Sequence, residues 1–205
     1  FPSMRSGLTR QTLHGIWAAI HPPFHADGRI DFDTLRENIR RLHAAGVHGI
    51  YTTDSDAEFY AIELDEFRQL AGVFAAECTR LNFPSMMGVT WINTEGVVQR
   101  LKIAAERGIM RAHVGSPFWT PLNAPSRLQY WRDVSDAMPD SFALIHYNTA
   151  RQQHVLAGAD YRALQEMFPK VAGAKYPQNG ADVFADVTTQ APELSFFVAE
   201  PVLAP

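Results

Sequence analysis

Phe142-Ala143-Leu144-Ile145-His146-Tyr147, a helical pattern over residues 160–168, and then Val171-Ala172-Gly173-Ala174-Lys175 form one strand–helix–strand unit. Both apolar runs are short and nearly uninterrupted, as in parallel strands covered on both faces. The same unit recurs along the chain. Further strands are expected at residues 15–20, 49–53, 85–90, 109–114 and 195–199. Helical spacing links Leu35, Ile39, Leu42 and Gly46, then Leu64, Phe67, Leu70, Phe74, Cys78 and Leu81. It links Val97, Leu101, Ala104 and Ala105 in a third helix, with Thr94 placed to cap it. Residues 126–137 and 180–190 complete the helical set. Seven repeats of this kind predict a parallel α/β protein, and a (β/α)8 TIM barrel cut short after its seventh strand is one architecture that fits. The chain stops at Ala204-Pro205, so the expectation is one barrel domain over residues 1–205 that lacks an eighth strand and the helices after it. An open doubly wound sheet is the other architecture that fits the alternation.

The composition narrows the function classes. A net charge of −4 over 205 residues, without a basic stripe, gives no reason to expect nucleic-acid binding. No apolar run approaches the roughly 20 residues that cross a bilayer. Phe1-Pro2-Ser3-Met4-Arg5 has no signal-peptide core, and a cytoplasmic setting is expected. The single cysteine, Cys78, shares a helical face with Phe74 and Leu81 and reads as a small buried thiol.

Ligands of parallel α/β folds collect at the carboxyl ends of the strands. Those ends carry His21-Pro22-Pro23-Phe24, Asp54-Ser55-Asp56-Ala57-Glu58-Phe59-Tyr60, Gly115-Ser116-Pro117-Phe118-Trp119, His146-Tyr147-Asn148, Lys175-Tyr176 and Glu200. Only three lysines occur. Lys102 lies in a helical pattern and Lys170 follows Pro169 in a loop, so both read as solvated, whereas Lys175 closes an apolar strand. Burial there should lower its pKa and release a nucleophilic amine. A lysine that merely snorkels to water is the plainer reading. Pro22 and Pro23 prevent a helix that would present His21 and His25 to one metal, so no metal site is expected.

Several of these segments occur together and in order. Gly15-Ile16 to Pro22-Pro23-Phe24, Asp27-Gly28-Arg29-Ile30-Asp31, Gly46-Val47-His48-Gly49-Ile50-Tyr51, Ser55 with Glu58-Phe59-Tyr60, Ser116-Pro117-Phe118-Trp119, Tyr147-Asn148 and Gly173-Ala174-Lys175 follow one another. In this the chain resembles the dihydrodipicolinate synthase / N-acetylneuraminate lyase family of class I aldolases and lyases, which are (β/α)8 barrels. The resemblance implies a carbon–carbon or carbon–oxygen lyase acting on a small 2-oxo acid such as pyruvate. Lys175 would form the imine at C2, Tyr147 would shuttle protons, and Ser55 with adjoining backbone N–H groups would hold the carboxylate. The protonated imine is itself the electron sink, so no cofactor is implied. The resemblance also implies a homodimer or homotetramer, with Phe118-Trp119 at a subunit edge or as a substrate wall.

The departures from that family pattern bear on substrate choice. Asp54, Ser55, Asp56 and Ala57 stand where the family has a glycine, two hydroxyl residues and a glycine. A charged Asp56 beside a substrate carboxylate would repel it by on the order of 4 kcal/mol at 4 Å. Asp54 and Asp56 could instead cap the following helix, and Glu58 reads as a structural loop residue. Trp119 replaces a tyrosine used in a proton relay by some members, and the arginine after Tyr147-Asn148 is displaced. With Asp56 and Trp119 as substrate-binding residues, the expected reaction is cleavage or dehydration of a hydroxylated or aromatic 2-oxo acid rather than condensation of pyruvate with an amino-acid semialdehyde. The alternative is a non-catalytic relative that binds a small acid or a protein partner at the barrel mouth.

Overall fold

The structure, a computed structural model, describes residues 13–176 and 181–199; residues 1–5, Gly180, Glu200 and Ala204-Pro205 fall outside that range. Strands and helices alternate as β1 (Trp17–Ala19), α1 (Phe32–Ala44), β2 (Gly49–Thr52), α2 (Leu64–Arg80), β3 (Ser85–Gly88), α3 (Thr94–Glu106), β4 (Arg111–Val114), α4 (Ala124–Asp136), β5 (Ala143–Tyr147), α5 (Gly158–Met167), β6 (Val171–Tyr176), α6 (Ala181–Gln190) and β7 (Ser195–Val198). Every strand pair is parallel, and the order across the sheet is the order along the chain. A doubly wound sheet reverses its order at a switch point. This one has no reversal and curls into a half-barrel. Trp17 on β1 and Phe197 on β7 meet edge-on across the interior, their rings 6.1 Å apart.

Alternation along the strands divides the apolar residues into two layers. Ile50, Met87, Ala112, Leu144, Val171 and Ala174 face outward against Leu35, Ile39, Phe67, Leu70, Phe74, Val97, Leu101 and Leu164 of the helices. Met86, Ala143, Ile145 and Ala172 face inward with Trp17, Tyr51 and Phe197. The inner layer is the floor beneath the mouth.

The helix starts show where local chemistry sets the boundaries. Asp31 caps α1, its Oδ1 accepting from the N–H groups of Asp33 and Thr34. At α3 the cap is Asn93 and not Thr94: Asn93 Oδ1 accepts from Gly96 N–H at 2.8 Å, and Thr94 is already helical. Asn123 caps α4 with Pro125 in its first turn, so that helix opens two residues before the apolar pattern does. Cys78 packs in the core, and burial pushes its thiol up to about 12. Lys170 corrects its sequence reading. Its ammonium is not solvated but donates to the carbonyls of Ser135 and Met138 at 2.8 and 2.6 Å, stapling the end of α4 to the start of β6. Lys102 is exposed as expected.

Candidate active site

Register brings the site together. Tyr147 of β5 pairs with Lys175 of β6, and Lys175 pairs with Phe197 of β7, so all three lie at one level of the sheet. Lys175 turns inward. Its Nζ stands 4.5 Å from the Tyr147 ring centroid and 5.0 Å from that of Tyr51. At the mouth the ammonium donates to Asp54 Oδ2 in an ion pair whose side chains are 18% and 1% exposed. Ser55 Oγ lies 3.0 Å from the Tyr147 hydroxyl, which joins the loop after β2 to the end of β5.

The backbone holds Asp54 against the lysine. Thr53 precedes it at φ 57°, a left-handed conformation that costs a β-branched residue on the order of 1–3 kcal/mol. The Thr53 hydroxyl donates to Gly88 O at 2.7 Å and fixes this turn to the end of β3. A Cβ at Gly88 would stand 2.1 Å from Thr53 O and 2.6 Å from the His113 ring, so only glycine allows the approach. Beyond the turn, Asp54 Oδ1 accepts from Ser55 N–H at 2.6 Å, and Asp54 O accepts from Ala57 N–H at 3.0 Å. Gly173 is close-packed for the same reason: a Cβ there would meet Ser195 O of β7 at 2.4 Å.

The electrostatics differ from the expectation of a lysine released by burial. Burial does pull the Lys175 ammonium down, but the Asp54 carboxylate beside it, helped by Tyr51 and Tyr147, holds it above the ordinary lysine value. Burial likewise opposes the Asp54 charge, and the neighbouring His113 ring, the Lys175 ammonium and the Ser55 N–H nevertheless keep its carboxyl below the ordinary value. Burial pushes the Tyr51 phenol up. His113, on β4, is wholly buried between the rings of Tyr51 and Tyr147, at 5.3 and 6.2 Å, and desolvation lowers it to about 4. Its imidazole is therefore neutral at pH 7, and neither ring nitrogen has a hydrogen-bond partner among the described residues. The site at rest is an ammonium–carboxylate pair in an aromatic box.

Of the residues singled out in the sequence, Lys175, Tyr147 and Ser55 come together. Asp56 is exposed, so its charge is screened by water, and the buried acid of this loop is Asp54. Neither aspartate caps α2, which opens at Glu63, whose N–H donates to Glu66 Oε2 at 3.0 Å. The N–H groups of Ser55, Ala57, Glu58 and Phe59 are spent within the loop. Glu58 is exposed at φ 51°. Trp119 is 80% exposed, whereas its neighbour Phe118 packs on Phe59 at 5.8 Å. Sequence reasoning missed Tyr51 and His113, inward residues hidden in apolar runs, and Gln152. The Gln152 amide ties Ser116 N–H, His146 and the Tyr147 carbonyl into one knot behind Tyr147. Among the described residues, no group of three His, Cys, Asp or Glu side chains is placed to hold a metal.

The dihydrodipicolinate synthetase family matches residues 12–197, nearly the whole described chain. The chain belongs to that family. It is 26% identical over 178 residues to the trans-o-hydroxybenzylidenepyruvate hydratase-aldolase of Pseudomonas aeruginosa, covering 83% of this chain and 53% of that protein. It is 29% identical over 133 residues to the 4-hydroxy-tetrahydrodipicolinate synthase of Haloarcula marismortui, covering 64% of this chain and 42% of the other. The chain thus spans about half the length of the curated relatives it matches. Among solved structures of the family, a prophage protein from Escherichia coli K12 in complex with pyruvate superposes with a TM-score of 0.86 at 19% identity, over 91% of this chain and 63% of that one. The N-acetylneuraminate lyase of Mycoplasma synoviae gives 0.81 at 19% identity, with the same coverage. These likenesses establish the dihydrodipicolinate synthetase fold, a TIM barrel of which the described residues form seven strands. Among the described residues, no helix is long and apolar enough to cross a membrane.

Proposed function

We propose that this chain is the lysine-bearing part of a Schiff-base lyase that acts on a 2-oxo acid. Lys175 attacks the C2 carbonyl, water leaves, and the resulting iminium draws electrons from the bond that breaks or the proton that departs. Tyr147 carries protons beside the imine, with Ser55 on its hydroxyl. The Ser55 hydroxyl also receives the substrate carboxylate. The observation that carries this reading is the convergence of a mostly buried amine, a phenol and a hydroxyl from β6, β5 and the β2 loop at one mouth. For the substrate class, the Tyr51 and Tyr147 rings beside Lys175, together with a hydratase-aldolase relative named for an aromatic pyruvate, favour cleavage or hydration of an aromatic or hydroxylated 2-oxo acid.

A non-catalytic role, binding a small acid or a protein at the mouth, draws on the Asp54 pair, since a paired ammonium is not a nucleophile at rest. Reductive trapping separates the two. Incubation with pyruvate or a longer 2-oxo acid and borohydride should add the reduced ligand mass at Lys175. Lys175→Ala should abolish the adduct, and Lys102→Ala should leave it intact. An adduct of equal yield in Lys175→Ala would end the imine mechanism at this residue.

A further inference from the structure

Asp54 has no part in the chemistry so far, yet it is the group that touches the nucleophile. Its Oδ2 accepts from Lys175 Nζ, while its Oδ1 is anchored on Ser55 N–H at 2.6 Å and its carbonyl on two loop N–H groups. The carboxylate is thus aimed and cannot turn away. The groups facing the pair are Tyr51 on β2, neutral His113 on β4 and Tyr147 on β5, with Asp56 on the loop itself. Among them, Asp54 is the one carboxylate in contact with the amine.

We infer that Asp54 is a catalytic residue that takes the proton from the Lys175 ammonium and returns it to the departing oxygen during imine formation. This rests on the imine reading above. Transfer of one proton from Nζ to Asp54 frees the amine lone pair. As the carbon–nitrogen bond forms, the carbonyl π bond opens and its oxygen takes that proton from Asp54. The carbinolamine nitrogen, still carrying two hydrogens, gives one to Asp54. Asp54 passes it to the hydroxyl as the carbon–oxygen bond breaks. The three ammonium hydrogens end as one on the iminium and two on water, and Asp54 is again a carboxylate, now the counter-ion of the iminium.

A mere counter-ion and a proton carrier predict opposite effects of Asp54→Asn. Without its anion, the partly buried Lys175 loses its proton more readily, so a counter-ion role predicts faster trapping of pyruvate by cyanoborohydride at pH 7. Proton carriage predicts trapping slower by about 100-fold, the scale of general acid–base catalysis, and still slower than wild type at pH 10, where more free amine is present. Asp54→Gly, which removes the side chain, should be equally slow and should recover at least tenfold with added formate, a small carboxylate that fits the vacated space. It also covers the case in which Asp54→Asn does not fold; circular dichroism monitors both. Trapping in Asp54→Asn at or above the wild-type rate, or no formate rescue of folded Asp54→Gly, overturns the proposal. Absence of any Lys175 adduct in the wild-type chain instead defeats the underlying imine reading.

Discussion

At the scale of single residues, the site is governed by a charge pair rather than by a lone desolvated amine. Lys175 stands above its ordinary value of 10.5 and Asp54 below its ordinary 3.8, so both bind protons differently in the folded and unfolded chains. The stability supplied through Asp54 is in full force above pH 3.8 and drains as pH falls through its lowered value. That supplied through Lys175 is in full force below pH 10.5 and drains as pH rises through its raised one. Asp54→Asn should therefore flatten the acid limb of a urea-midpoint-against-pH curve. Because the carboxylate that holds Lys175 up is gone and only Tyr51 and Tyr147 still oppose burial, the alkaline limb should lose less stability with pH than in the wild type. At pH 7 the variant should be less stable by about 3 kcal/mol, the scale for stranding one member of a buried pair. The tyrosines are common to both proteins, so the difference between the curves reports Asp54 together with the two groups its charge acts on, Lys175 and His113. This pairing was not legible in the sequence, since Asp54 and Lys175 are 121 positions apart and only the curl of the sheet joins them. Lys170 escapes a sequence reading for the same reason: its partners are the carbonyls of Ser135, in α4, and Met138, two residues past its end, which no local pattern announces.

Elements were far easier to read. Each of the seven apolar runs became a strand, because burial on both faces makes most strand positions apolar. Helix ends were less certain where two capping residues adjoin, as at Asn93 and Thr94. The inward face was the hardest part. His113 sits in an ordinary strand run, and only its register with Gly88 and Ile145 puts it under the mouth. Close contact between elements gives a test here. Gly88→Ala would force its new methyl into Thr53 O, so the end of β3 and the Asp54 turn must separate. The expected cost is roughly 3 kcal/mol in denaturant unfolding, at the upper end for overpacking, accompanied by loss of Lys175 trapping. A variant as stable and as reactive as the wild type would mean that the Thr53 turn is not held by this contact.

For the whole molecule, the exposed apolar side chains are unevenly placed. Tyr60, Ile92 and Trp119 follow β2, β3 and β4 and are 61%, 52% and 80% exposed on consecutive loops at the mouth end. Aromatic residues on one rim suit an interface between copies. Sedimentation velocity at micromolar concentration is expected to show dimers or tetramers, and Trp119→Ser should shift them toward monomer; a monomeric wild type contradicts this. The strand order has a further consequence, for biosynthesis. Because each strand pairs with the one before it, the sheet can be laid down unit by unit as the polypeptide leaves the ribosome. Asp54 emerges 121 residues ahead of Lys175, a wait of roughly 6 to 24 s at typical rates of 5–20 residues per second. Throughout that interval Oδ1 can already hold the adjacent Ser55 N–H, but Oδ2 has water in place of the ammonium, and the nascent β2 loop must stay hydrated until β6 arrives.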